Sequence, residues 1–173
     1  MRANKVDIII IKGAPGTGKS QTGKSLAKYF PKGVRLEIDN LRSMVISVDW
    51  TNQAEHIEIL NLSRGLILNF LQSGFSPVIV IDTFSGDKTS NFIEELNKLK
   101  DDLHIKIFGL YTTEVELTKR IQSRKESEFK DLNICIKLNN DTLRNKHKKE
   151  FQIDTTGLIS NDTVEIIYKK IMM

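Results

Sequence analysis

Apolar positions along this chain follow two rhythms. Short runs of β-branched residues recur, and between them lie longer stretches in which apolar residues return every three or four positions. The first rhythm marks buried strands and the second amphipathic helices. Their alternation is that of a parallel sheet covered by helices on both faces. Residues 6–12 (VDIIIIK) predict the first strand, and residues 18–30 the helix after a Gly-rich turn. Residues 34–38 (VRLEI) predict a second strand ending at Asp39, with a short helix over 41–47. A long helix follows over 53–73, apolar at Ile57, Leu60, Ile67, Leu68 and Leu71 and ended by Gly74.

Residues 77–82 (PVIVID) give the clearest strand after the first. A helix over 91–100 sets Phe92, Leu96 and Leu99 on one side. Residues 104–111 predict a fourth strand, 115–124 a helix and 151–154 a fifth strand. The last helix spans 161–171, its SND start serving as the cap. Residues 125–140 show neither register and are expected to form a mobile excursion above the sheet, a lid of about 125–141. The expectation is an α/β fold of three α/β/α layers around a five-stranded parallel sheet, with residues 1–173 as one domain.

Composition adds bounds. The 173 residues are 39% hydrophobic and 28% charged, ordinary values for a globular chain long enough to bury such a sheet. The net charge of +4 suits an anionic ligand without choosing between nucleotide, phosphorylated metabolite and nucleic acid. The basic excess is densest over 119–149, which reads either as a solvated surface or as a phosphate-facing one. One cysteine, Cys135, leaves no internal disulfide and no cysteine-rich zinc site, and a reducing, cytoplasmic setting fits. The apolar run at 6–11 is too short for a signal segment or a membrane span. His56, His104 and His147 have no metal-ligand spacing and are expected at the surface or at sheet edges.

Residues 13–20 (GAPGTGKS) match G-x-x-x-x-G-K-[ST] at every fixed position. Gly13, Gly16 and Gly18 free the backbone to turn N–H groups inward, with Ala14, Pro15 and Thr17 between them. Those donors and the following helix N-terminus form a cage for the phosphates of ATP. Lys19 adds a cation, Ser20 a hydroxyl ligand for Mg²⁺, and Gln21 continues the cage. A strand directly before and a helix directly after supply the context the motif needs. Residues 18–25 (GKSQTGKS) match the same pattern again. That second loop would fall where the helix must already run, and five helical residues turn Lys24 about 140° from Lys19. Lys24 is therefore expected on the helix surface. Asp82, closing VIVID, reads as the Mg²⁺ partner of Ser20 or as a helix-capping carboxylate.

A GTPase is excluded: residues 97–100 (NKLK) fail N-K-x-D in identity and place, and DTTG at 154–157 follows the last strand. What remains resembles the nucleoside-monophosphate-kinase-like group of small P-loop kinases. Polynucleotide 5′-kinase domains, zeta toxins, chloramphenicol phosphotransferase, and shikimate and gluconate kinases belong to it. Three stretches carry the likeness: IDNLR with Asp39 and Arg42, KRIQSR with Arg120 and Arg124, and IDTTGLISNDTVEII. The resemblance implies Asp39 as the base that activates an acceptor hydroxyl and Arg42 as a grip on the acceptor's anion. It further implies Arg120 on adenine and Arg124 on the transferring phosphate; a solvated helix face is the other reading of that pair. It also implies that the loop after the last strand lies against the adenine.

Arg144 reads as a further lid cation or as a solvated one. Trp50 and Asp49 stand where an acceptor pocket would be lined, and Arg64, on the apolar series of the long helix, is expected to snorkel to the surface. The function expected is transfer of the γ-phosphate of ATP, with Mg²⁺, to an unidentified hydroxyl or phosphate acceptor, with no membrane partner. A nucleotide-binding regulatory module with slow hydrolysis and no acceptor is the alternative. A nucleic-acid binder using the basic 119–149 stretch is a third reading.

Overall fold

In the computed structural model, which describes residues 6–173, one sheet of five parallel strands has the order β2-β3-β1-β4-β5. The strands are β1 (Ile8–Gly13), β2 (Val34–Glu37), β3 (Val78–Asp82), β4 (Ile105–Tyr111) and β5 (Glu150–Asp154). Between and after them run α1 (Lys19–Leu26), α2 (Ile38–Arg42), α3 (Gln53–Gln72), α4 (Lys88–Leu99), α5 (Glu114–Gln122), α6 (Leu132–Arg144) and α7 (Ser160–Met172). A 3₁₀ turn, Ala27–Tyr29, prolongs α1. Among the described residues no helix is long and apolar enough to cross a membrane.

Strand alternation divides the core in two. Ile8 and Ile10 of β1, Val78 and Val80 of β3, and Ile107 of β4 pack under α3 and α4, against Ile59, Leu60, Ile67, Phe92 and Leu96. Ile9, Ile11, Ile79, Ile81, Phe108 and Leu110 face the other way, onto Leu26 of α1 and Val164, Ile167 and Ile171 of α7. Continuous aliphatic runs are what strands buried on both faces require. This three-layer arrangement is the expected one. A third, smaller cluster of Leu117, Ile121 and Cys135 joins α5 to α6.

Four expectations need correction. The second strand stops at Glu37, and Asp39 lies in the first turn of α2 rather than at a strand end. The buried stripe of α3 is His56, Ile59, Leu60, Ser63 and Ile67, while Ile57 is 47% exposed; Leu99 at the end of α4 is likewise exposed. Helix α5 ends at Gln122, so Arg124 lies beyond it. The supposed excursion over 125–140 is largely α6, capped by the Asp131 side chain accepting from Ile134 N–H at 3.0 Å. Its buried residues Cys135, Asn139 and Thr142 recur at helical spacing. Asn139 fixes it to the sheet: its Nδ2 donates to Thr112 O at 2.8 Å and its Oδ1 accepts from Thr112 N–H at 3.1 Å.

Directly before the Gly-rich turn, Lys12 is fully buried and forms an ion pair with Glu150 of β5 at 3.3 Å, both side chains 0% exposed. The residue between them on β4 is Gly109, which leaves room for the two side chains to meet over the sheet. Lys12 also donates to Asn145 O at 3.2 Å, tying the end of α6 to β1. Removing one charge strands the other in hydrocarbon, whereas removing both does not. Lys12→Met should therefore destabilise the fold by about 3–5 kcal/mol. The double change Lys12→Met with Glu150→Leu should recover most of that loss, as read by urea denaturation.

Candidate active site

Five residues separate the end of β1 from the start of α1, and the chain turns through them with positive φ at Gly16 (90°) and Gly18 (89°). A side chain at Gly16 would strike Leu117 and Ile121 of α5 at 2.9 Å, so the loop sits directly on that helix. Thr17 is buried and donates from Oγ1 to Ala14 O at 2.8 Å, closing the turn from within. Ala14 is buried, Pro15 half-buried, and Gly18 forms the N-cap of α1 with its carbonyl accepting from Thr22 N–H at 2.9 Å. Lys19, Ser20 and Gln21 thus occupy the first turn, where free N–H groups and the helix dipole favour an anion. In the overlapping second match, Gly23 packs against Ile81, Ser25 is buried and Lys24 is exposed, so those residues serve helix packing.

Parallel register brings Asp82 opposite Lys12, at the strand end beside this loop. Asp82 is 3% exposed. Burial works against its charge, but His56, the Phe84 N–H and the Lys19 ammonium outweigh that and hold its carboxyl below the ordinary range. His56 Nε2 lies 3.2 Å from Oδ1, and Phe84 N–H donates to Oδ2 at 3.0 Å. Phe84 makes that bond from a left-handed backbone (φ 48°), rare for a bulky residue, and its ring is buried against Phe92 at 5.2 Å.

Asp39 is shifted the opposite way. Although its residue is exposed at the cleft, partial desolvation first, then the neighbouring Asp82 charge, raise its carboxyl above the usual value, against the pull of Lys19, His56 and Arg42. Lys19 is lowered, chiefly by burial of its ammonium, while Asp39 and Asp82 raise it and Arg124 lowers it. Two carboxylates of opposite tendency and one lysine therefore share a field, and perturbed groups gathered in a cleft mark a candidate functional site.

His56 was not expected here. It lies on the inner face of α3, 7% exposed, and its Nδ1 is 3.1 Å from Lys88 Nζ. An ammonium only donates, so Nδ1 accepts and Nε2 carries the hydrogen toward Asp82. Lys88 is also bound to Gln53 Oε1 at 2.7 Å, and burial lowers its pKa. The legible signal was position: His56 precedes Ile59 and Leu60 by one turn, on the stripe that the helix buries. His104 is exposed just before the interior strand β4, beside Asp7.

The arginines are brought to different places. Arg42 is 4% exposed and committed to the segment after α2, donating from Nε to Glu55 Oε1 (3.0 Å) and from Nη2 to Asp49 O and Asn52 O (3.0 Å). Arg120 bridges the loop and the segment after β5, reaching Gly16 O at 3.5 Å, Thr155 O at 2.6 Å and Glu116 Oε1 at 2.9 Å. Arg124 contacts Glu128 Oε1 at 3.3 Å and donates to Phe129 O at 3.0 Å, closing the turn before α6. Arg64 is half-buried with its Nε enclosed, so it does not simply snorkel outward. Arg144 is exposed at the end of α6.

A cleft of about 840 Å³ opens between the loop, α2, the start of α3 and the turn before α6. Asp39, Arg42, His56, Asp82 and Lys88 reach it. Among the described residues no group of three His, Cys, Asp or Glu side chains forms a metal cage. Ser20 and Asp82 are hard oxygen donors, and a site of one or two protein oxygens suits Mg²⁺ that arrives with phosphate and water ligands.

No protein-family profile matches the sequence. A comparison with curated proteins also finds no match. Solved structures do match. The tunicamycin resistance protein of Deinococcus radiodurans is 18% identical over 96% of each chain, with a TM-score of 0.67. A gluconokinase from Sinorhizobium meliloti 1021 is 16% identical over 95% of this chain and 91% of its own, at 0.68. The thymidylate kinase of Candida albicans is 15% identical over 96% and 91%, at 0.63. At such identities the likeness is one of architecture: this chain has the three-layer α/β/α fold of P-loop kinase-like proteins.

Proposed function

We propose that this protein is an ATP-dependent phosphotransferase that moves the γ-phosphate to a hydroxyl acceptor seated beside Asp39. The observation that carries the reading is the Gly-rich turn leading into Lys19 at the start of α1, with Asp82 beside it at the end of β3 and a cleft large enough for a second substrate lined by Asp39 and Asp82. Residues 13–21 bind the phosphates, and their negative charge offsets the burial that works against the Lys19 ammonium. Ser20 and Asp82 would hold Mg²⁺, which when bound neutralises phosphate charge. Arg120 and the segment at 155–157 border the adenine, and Arg124 faces the charge of the transferring group.

Asp39 then takes the acceptor's O–H proton as the oxygen forms its bond to the γ-phosphorus. The bond from that phosphorus to the β-bridging oxygen breaks, and ADP leaves with the electron pair. Arg42 enters as the anchor of the acceptor wall rather than as a free anion grip, because Nε and Nη2 are already engaged.

Incubation with γ-labelled ATP, Mg²⁺ and an acceptor panel tests this reading. The panel should span nucleosides, nucleoside monophosphates, sugars, aryl alcohols and 5′-hydroxyl oligonucleotides. Label should appear on one class and fall by on the order of 10² or more in Lys19→Ala. Asp39→Asn should cut transfer by roughly 10²–10⁴ while ATP affinity stays within a few-fold. Slow ATP loss with every acceptor unlabelled would instead point to the regulatory module.

The sign of the pH dependence follows from Asp39. A raised pKa keeps it protonated, and unable to accept, at pH values where an ordinary aspartate is ionised. The acid limb of kcat/KM should therefore lie above the usual carboxylate range, rise with pH through it, and vanish in Asp39→Asn.

His56→Ala should loosen Asp82 and raise the Mg²⁺ concentration needed for half-maximal nucleotide binding by roughly 10–100-fold. His56→Gln, able to donate to Asp82, should recover part of that loss. Unchanged Mg²⁺ dependence in both variants would remove His56 from the site.

A further inference from the structure

The cleft beside Asp39 has a polar floor and hydrocarbon walls. Asp39, Asp82, His56 and Lys88 supply the floor. On one wall stands Trp50; on the other, Phe129 comes from the turn before α6, and Ile134 and Leu138 from α6 itself. Trp50 is 51% exposed, Phe129 48% and Ile134 44%, so three large apolar side chains face water at one opening. Scattered apolar exposure needs no explanation, but its convergence on one concave site, rimmed by polar groups, marks a surface built for an apolar ligand.

Both walls are pinned. The Arg42 guanidinium lies over the Trp50 ring at 5.1 Å and is itself fastened to Glu55 and to the carbonyls of Asp49 and Asn52. Asp49 in turn holds Thr51, through its N–H at 3.0 Å and its hydroxyl at 2.7 Å. Across the cleft Arg124 donates to the Phe129 carbonyl, and Asn139 ties α6 to the sheet. A ligand ring meeting these walls finds them already ordered and forgoes part of the entropic cost of binding. A ring-free polyol would lay hydroxyls against hydrocarbon, where they lose water without gaining partners.

Resting on the kinase reading, we propose that the acceptor is an aromatic alcohol: a planar ring received by the Trp50 and Phe129 walls, carrying its hydroxyl on a short polar arm that reaches Asp39. Nucleosides and simple aryl alkanols share this chemistry.

Trp50 is the only tryptophan of the chain, so its emission reports on this wall alone. The full chain, with Mg²⁺ and ADP present, is titrated with nucleosides, with 2-phenylethanol-type alcohols and with ring-free polyols, while label transfer from γ-labelled ATP is followed in parallel. A saturable emission change with one aromatic class and none with polyols is expected, and which class responds identifies the source of the ring. Trp50→Ala should raise KM for that acceptor by about tenfold with kcat held within about threefold, and Trp50→Phe should restore most of it. Phe129→Ala should raise KM in the same direction.

Preference for polyols, absence of any saturable response to aromatic alcohols, or an unchanged KM in both Trp50→Ala and Phe129→Ala would overturn the aromatic acceptor. Label on a polyol would do so while leaving the kinase reading intact. Saturable aromatic binding with no label on any acceptor would support the aromatic site and count against the kinase.

Discussion

β1 is buried on both faces up to Gly13, and α1 begins at Lys19, so the chain must pass from the middle of the sheet into a covering helix within five residues. That turn cannot pair its own amides in a regular ladder, and the N–H groups it leaves over, added to those at the start of α1, converge on one spot. Everything else at the site is arranged around this concentration of positive potential. Gly16 lets α5 close on the loop, Arg120 ties the loop to Thr155, and Lys12 anchors its root through Glu150.

The same potential divides the labour between the two acids. Asp82 lies deeper, yet it is held ionised because His56 and the Phe84 amide are aimed at it. Asp39 is nearer the opening but lacks such dedicated donors, and the charge of Asp82 beside it makes a second negative charge harder to hold. Depth alone would have predicted the reverse order; hydrogen bonds to the charged form decide it. Lys88 extends this by fixing the His56 tautomer, so the orientation of Asp82 depends on a lysine at the start of α4.

The strands were legible because parallel strands covered on both faces have to be continuously aliphatic, and IIIIK and VIVID satisfy nothing else of that length. The turn between β1 and α1 was legible because its glycines are a backbone requirement written into the residue type. The strand before Asp39 reads one residue too long: Ile38 continues the alternation of Val34 and Leu36 in sequence, yet it begins α2 and fills the core. His56 was hidden because, judged only as a metal ligand, it is expected at the surface, although a buried acid partner from β3 is what lets it belong on the inner face of α3. Helix α6 escaped because ICIKL shows neither register by itself, while the residues that bury it are Cys135, Asn139 and Thr142. No pattern in one segment shows that Asn139 will meet the backbone of Thr112.

Arg124 links these parts. Its charge is felt by Lys19, and its guanidinium closes the turn that carries Phe129. On the kinase reading, a phosphate arriving at the loop would draw on the guanidinium that Glu128 and the Phe129 carbonyl already hold in one plane. If Arg124 turns toward the phosphate, the Phe129 wall loses its tie; if it keeps that tie, Lys19 faces the new charge with less help. On the kinase reading, nucleotide binding and the shape of the acceptor cleft would therefore draw on one side chain, and coupling between the two substrates is expected without any movement of the sheet.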